Sequence, residues 1–306
     1  MRRLFCACAF FAASMMTPAF AEETEVSFAY VPAPDAESMV VEQPLGKLQV
    51  RGWDKPEVRI VATKRAPDAD TLDRLRVNVE MQNGRVRIRT GVRVGGAFRP
   101  LPPQARAQIG IDLTVDAPRH VSLDARTWAG DLDAEGFRAG ARLSSTGGEV
   151  RASDIEGKVT SNSVKGRQRL SSIKGAVEAD GVTGDLELDT VDGETLDAKL
   201  VEGQITARRV RSQVVHMFSA MGGIVFVGSI RPGALYALKT EDGDIHLVLD
   251  RAPFSVTAVA PNGHVTTGFA VKGELLPTRL RGEFLGGGAR LDLAAAHGNV
   301  LLDPAR

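Results

Sequence analysis

The 306 residues carry 38 lysines and arginines against 38 aspartates and glutamates, and a chain without net charge offers no basic stripe for nucleic acid. Both cysteines, Cys6 and Cys8, fall within the first eight positions, so the rest of the chain is expected to be free of disulfides and of cysteine-based metal or nucleophile chemistry. Aromatics are only 5% of the residues, which suits an interior filled by thin aliphatic layers.

Residues 1–21 join a basic start (Arg2, Arg3) to an apolar run and to Ala19, Phe20 and Ala21 before Glu22, the pattern of a secretory signal peptide. Its apolar run is too short for a membrane span, and no other segment approaches the ~20 apolar residues a span requires. The expected mature chain is therefore exported and has no transmembrane segment. Residues 22–94 read as a β region: strands at 26–30, 39–41, 45–50 and 57–63, a short helix at 68–74 opened by Asp68, and a hairpin around Asn83 and Gly84. Residues 95–108, with Pro100, Pro102 and Pro103, read as a loop and boundary.

Residues 109–249 hold a regular ladder. Gly148, Gly157, Gly166, Gly175, Gly184 and Gly193 recur every nine residues, and the spacing loosens to ten through Gly203, Gly223, Gly233 and Gly243. With every second glycine as register, the column two residues on reads Val150, Gln168, Leu186, Ile205, Val225 and Ile245, and the column four on reads Ala152, Leu170, Leu188, Ala207, Val227 and Leu247. The column one on alternates in charge: Glu149, Arg167, Asp185, Gln204. Alternation of period two marks half-buried strands. Strands this short cannot each bury a face alone, whereas stacked repeats can. The pattern predicts an all-β fold, a β-solenoid with two short strands per repeat of 18–20 residues, against the competing β-sandwich that also gives strands every 8–12 residues. Residues 250–306 are expected to close it, with longer strands at 254–260, 264–267 and 282–293 and a final turn at Gly298 and Asn299.

The chemistry-bearing residues do not assemble a reaction centre. A solenoid acting on acidic polysaccharide needs clustered carboxylates and usually calcium, whereas the acidic column here alternates with arginine and reads as a solvated charge ladder. His246 and His264 take outward positions about one repeat apart, too few ligands for a metal. The serines and threonines have no histidine beside them in register, so no nucleophile is assigned. The reading is therefore of no catalytic residue, no cofactor and no metal. Gln168, the one polar member of the inner column, is expected to bond to turn backbone. Trp128 is expected to cap an inner row, sharing a column with Thr146, Val164, Val182, Val201 and Met221. Around Gly223 the alternation fails, because Ile224, Val225, Phe226 and Val227 are apolar on both faces. That leaves Phe218, Ile224 and Phe226 as the candidate interaction patch, unless the strands over 254–269 cover them.

The run Gly46, Leu48, Val50, Gly52, Trp53, Asp54, the central Gly-x-hydrophobic-x-small repeats, and the closing Gly286, Gly287, Gly288, Ala289, Leu291, Leu293 and Gly298 together resemble the bacterial putative-adhesin family of β-strand-repeat envelope proteins. The resemblance covers about residues 40–302. It implies a β-solenoid of the periplasm or cell surface of a Gram-negative-type bacterium, with no assigned catalytic residues. The expected function is a non-enzymatic adhesion or scaffold module with a protein or envelope-glycan partner. The alternatives are a periplasmic carbohydrate-binding or polysaccharide-processing solenoid and a sensing partner of a membrane regulator.

Overall fold

A computed structural model describes residues 23–101 and 109–305. The expected signal-peptide segment with its two cysteines, and residues 102–108 of the expected proline-rich loop, lie outside those residues. Among the described residues there are 26 strands and one helix, so the fold is all-β. The helix, Ala69–Arg74, starts where the sequence places it, because the Asp68 carboxylate accepts the Thr71 N–H at 2.7 Å. The hairpin forms as read: Leu75–Gln82 pairs antiparallel with Arg85–Val94 across Asn83 and Gly84, whose φ values of 49° and 69° suit a tight primed turn.

The glycine-spaced segments form two parallel ladders. In one, Leu132 pairs with Val150, then Gln168, Leu186, Ile205, Ile224 and Ile245 in succession. In the other, Leu123 pairs with Ala141, then Val159, Val177, Leu196, Val215 and Tyr236. Each step advances the chain by one repeat, and the long strands Leu186–Glu202 and Ile205–Met221 run through both ladders and join them. The aliphatic side chains between the ladders make one buried core that reaches from Ala33 to Leu302.

One corner of every repeat is a glycine. Gly130, Gly148, Gly166, Gly184, Gly203, Gly222 and Gly243 stack so that a methyl group on any of them would fall on the carbonyl oxygen of the corner glycine before it. Gly222, not Gly223, belongs to this column. The register read from Gly223 is therefore one residue out, and Ile224 and Phe226 point inward where Val225 and Val227 were expected. The other corner breaks strict alternation. Asp154, Ser172, Thr190 and Arg209 have φ between 50° and 57°, and each left-handed residue turns the next side chain, Ile155, Ile173, Val191 or Val210, into the core. A left-handed conformation costs an ordinary residue about 1 to 2 kcal/mol, which the burial of a third inner column offsets.

Both ends of the stack are interleaved. Ala289–His297 lies between Leu235–Asp242 and Phe254–Val259, parallel to both. Val300–Pro304 lies likewise between Ile245–Leu249 and Val265–Thr267. At the other end Ser38–Leu45 sits between Arg85–Val94 and Ser122–Ala129, and Leu48–Trp53 between Gly110–Pro118 and Leu132–Glu135. The expected strand at 45–50 is broken at Gly46, whose carbon packs on the Ile111 carbonyl. The expected strand at 282–293 is two, Arg279–Phe284 and Ala289–His297, separated by left-handed Leu285, Gly286 and Gly287. Part of the expected loop is the strand Ala97–Pro100, paired with the end of Arg85–Val94.

The corner packing yields a paired test. Gly166→Ala must displace the Gly148 carbonyl and strain a φ of 125°, so it is expected to cost about 2 to 5 kcal/mol in denaturant unfolding. Gly286→Ala, where a methyl group meets nothing within 4 Å at a φ of 84°, is expected to cost only about 1 to 2 kcal/mol.

Candidate functional site

The outward side of the first ladder is electrostatically closed. Asp133 joins Lys47 at 3.2 Å to Arg151 at 3.1 Å, and Arg151 also meets Glu149. Glu149 meets Arg169 at 3.2 Å, and Arg169 meets Glu187 at 2.9 Å. Looser contacts from Arg167 to Glu187 at 3.7 Å and Asp185 at 3.8 Å extend the chain. A charge ladder forms as expected in kind but not in place: within the alternating column only Arg167 and Asp185 meet, at 3.8 Å, and the close pairs run through Asp133, Arg151, Arg169 and Glu187 two residues further on, leaving each carboxylate beside a cation instead of beside a second acid. Burial works to raise the Asp133 carboxyl, but bonds from Arg151, Lys47 and Gln49 outweigh it and hold the group below the ordinary carboxylate range.

Among the described residues no three His, Cys, Asp or Glu side chains group closely enough to hold a metal ion. His246 bonds Asp303 at 3.1 Å. His264 is not its neighbour, because the inserted strand Val300–Pro304 separates their strands. Gln168 is satisfied inside the core, but not by turn backbone: its oxygen accepts from the Ser161 hydroxyl at 2.5 Å and its amide donates to the carbonyl of Asp180, within the strand Val177–Thr183, at 2.9 Å. Sequence reasoning missed a largely polar buried column in the second ladder, Gln43, Thr127, Ser145 and Ser163, then Ser219 and Thr240 after Gly181 and Leu200. Ser219 and Thr240 donate to the corner carbonyls of Gly203 and Gly222 at 3.1 and 2.9 Å. Extending the inner columns of the offset repeat by two positions exposes this signal.

The candidate patch does not assemble. Ile224 and Phe226 are fully buried in the first ladder, and Phe226 meets the Tyr236 ring edge-on at 5.3 Å. They are enclosed by the two ladders, not by a cover formed over 254–269. Phe218 alone faces outward, half-buried on the second ladder beside Lys199 and Lys239. Trp128 does not cap an inner row. It follows the inward Thr127 and so projects outward, and the column it heads continues through Thr146, Val164, Val182 and Val201, with Met221 at the flank. The five large apolar members are 41–52% exposed, and together they form a stripe along one corner of the stack.

On the opposite side of the same face lies a trough of about 520 Å³. Its floor is made of small side chains, Ser38, Val40, Ser122 and Gly140, while Arg85 and Arg87 rise at one end and Arg142 and Lys158 at the other. The sequence gives no warning of it, because Arg85 and Arg87 belong to the hairpin and reach this face only through the parallel pairing of Arg85–Val94 with Ser38–Leu45.

No family model matches the chain, and neither does any curated protein. Among solved structures it is similar to a putative adhesin from Parabacteroides distasonis, at 9% identity and a TM-score of 0.46 over 91% of this chain and 97% of that one. It is similar also to a putative adhesin from Bacteroides fragilis, at 11% identity and a TM-score of 0.42 over 92% and 97%. A third is a putative lipid binding protein from Parabacteroides distasonis, at 11% identity and a TM-score of 0.46 over 91% and 96%. Two of the three carry the family name that the sequence motifs resemble.

Phe226→Ala is expected to cost about 3 to 5 kcal/mol without changing the oligomeric state, whereas Phe218→Ala should cost under about 1 kcal/mol; denaturant unfolding with light scattering reads both. The depressed Asp133 carboxyl stabilises the fold above its unfolded value and loses that contribution as pH falls through its folded one. Asp133→Asn should therefore cost about 0.5 to 1 kcal/mol near pH 7, and the gap to the unaltered protein should narrow below about pH 4 and close once Asp133 is protonated in both states.

Proposed function

We propose that this chain is an exported, non-enzymatic module of the bacterial envelope, an adhesion or scaffold protein built as a β-solenoid with two strands per repeat. The regular register of the two parallel ladders supports the solenoid reading. Export rests on the signal-peptide pattern of residues 1–21. No helix among the described residues is long and apolar enough to cross a membrane.

The observation that carries an interaction role is the corner stripe of Trp128, Val164, Val182, Val201 and Met221. These side chains project from positions where a polar residue would cost the core nothing, and they line up over about 24 Å, five strand spacings. Thr146 interrupts the row only between Trp128 and Val164, and an exposed apolar surface of this kind marks a contact with another molecule. The half-buried Phe218 extends it toward the middle of the face.

The test is sedimentation of the purified protein with isolated bacterial envelopes. A Val164→Lys, Val182→Lys variant should keep its melting temperature, because both positions are exposed, and lose roughly tenfold in envelope binding. A variant that sediments like the unaltered protein overturns the stripe as the contact surface. Release of reducing sugar from envelope polysaccharide by the unaltered protein overturns the non-enzymatic reading.

A further inference from the structure

We infer that the trough at the hairpin end of the second ladder is a binding site for an acidic polysaccharide, laid along the stack axis with its carboxylates on Arg87 and Arg142. It lies apart from the corner stripe and stands or falls independently of that surface.

The charges are the first observation. Five cationic and two acidic side chains line the trough, an excess of three positive charges in a chain whose formal charge is zero. Two of the cations are already occupied: Arg126 holds both oxygens of Asp124 at 2.9 and 2.7 Å, and Lys158 holds Glu178 at 2.8 Å. Arg87 and Arg142 make no ion pair or hydrogen bond among the described residues, and the Nε of Arg87 is buried without an acceptor. Arg85 has only a weak bond to the Ser38 hydroxyl at 3.4 Å. A guanidinium presents a fork of donors that fits a carboxylate with two parallel bonds. An unanswered donor in a half-enclosed site is a group that gains by finding one.

The register is the second. Arg87 and Arg142 occupy one outward column, Arg87, Val40, Asp124, Arg142 and Thr160, in consecutive paired strands. They are thus three strand spacings apart, about 14 Å, with Val40 and Asp124 between them, the Asp124 carboxylate being already held by Arg126. That is a slot for an extended chain bearing charges at intervals, not a cup for a single small anion. The Ser38 and Ser122 hydroxyls supply uncharged partners along the floor, as sugar hydroxyls require.

The lining also argues against other polyanions. It contains no aromatic ring on which a base could stack. Its larger apolar members Met39 and Leu123 are buried in the wall, and the accessible ones, Val40 and Ala139, are too small to hold an acyl chain or to anchor in a bilayer.

The experiment uses polygalacturonate oligomers as the acidic probe, dextran as the neutral one and phosphatidylglycerol vesicles as the lipid one, with calorimetry or sedimentation as readout. The unaltered protein should bind polygalacturonate and not dextran, with affinity falling as salt rises. An Arg87→Gln, Arg142→Gln variant should lose roughly tenfold or more in affinity at an unchanged melting temperature. An Arg251→Gln, Arg279→Gln control removes the same charge from exposed positions elsewhere and should bind as the unaltered protein does. Equal losses in the two variants would reduce the effect to non-specific electrostatics and overturn the site. Absence of polygalacturonate binding would overturn it too, and binding to the vesicles alone would reassign the trough to a lipid headgroup.

Discussion

The structure depends on how closely one repeat can approach the next. Parallel strands require about 4.8 Å between backbones, and at the glycine corner that spacing brings each α-carbon against the carbonyl oxygen of the repeat before it. A single methyl group there would hold the repeats apart at that corner while hydrogen bonds on either side pull them together. The glycine column is therefore less a set of flexible turns than a spacing rule, and the aliphatic layers, the corner hydroxyls and the charge ladder all inherit their register from it. The second corner obeys the same rule at Gly175 and Gly193, where a methyl group would fall on the carbonyls of Gly157 and Gly175, and just before it the chain accepts left-handed Asp154, Ser172, Thr190 and Arg209 in return for a third buried side chain per repeat.

That rule also sorts the surface. Side chains one repeat apart stand side by side in fixed columns, so whatever chemistry a column carries is repeated at strand spacing. Where adjacent columns bring opposite charges together, as from Asp133 through Arg151, Glu149 and Arg169, neighbours neutralise each other and the face is finished. Where it repeats apolar side chains, as from Trp128 to Val201, the surface is left unsatisfied toward water. Where cations stand at both ends of a run of small residues, as with Arg87 and Arg142, the result is a concave, polar and electropositive trough.

The repeat was legible because period two and period eighteen are both written in residue type: inner columns such as Leu186 and Ile205 are aliphatic and corner positions are glycine. The misreadings have specific causes. Two adjacent glycines, Gly222 and Gly223, both satisfied the pattern, and only the stacking of backbones distinguishes the corner glycine from its neighbour; choosing the wrong one turned buried Ile224 and Phe226 into an apparent surface. Trp128 was misplaced because an inward Thr127 is not recognisable as core by composition. The trough was illegible for a topological reason, since no local pattern announces that a hairpin will lie against Ser38–Leu45.

The interleaved ends set the order in which the fold can be assembled. In the middle of the stack each strand pairs with one 18 or 19 residues away, as Val159 does with Val177 and Leu196 with Val215. Such contacts close short loops at little entropic cost. Ser38, by contrast, meets Ser122 and Leu235 meets Arg290, so an early strand waits for a partner made much later and a late pair must enter a gap already flanked by others. The centre can zip repeat by repeat, while each end behaves as a clasp that shuts only after the chain has doubled back. A nascent chain emerging from its N-terminal side can thus shut its first clasp once residues 110–135 have arrived, whereas the other end stays open until residues 289–304 enter between the strands that flank them, and until then those flanking strands present unpaired edges to neighbouring molecules.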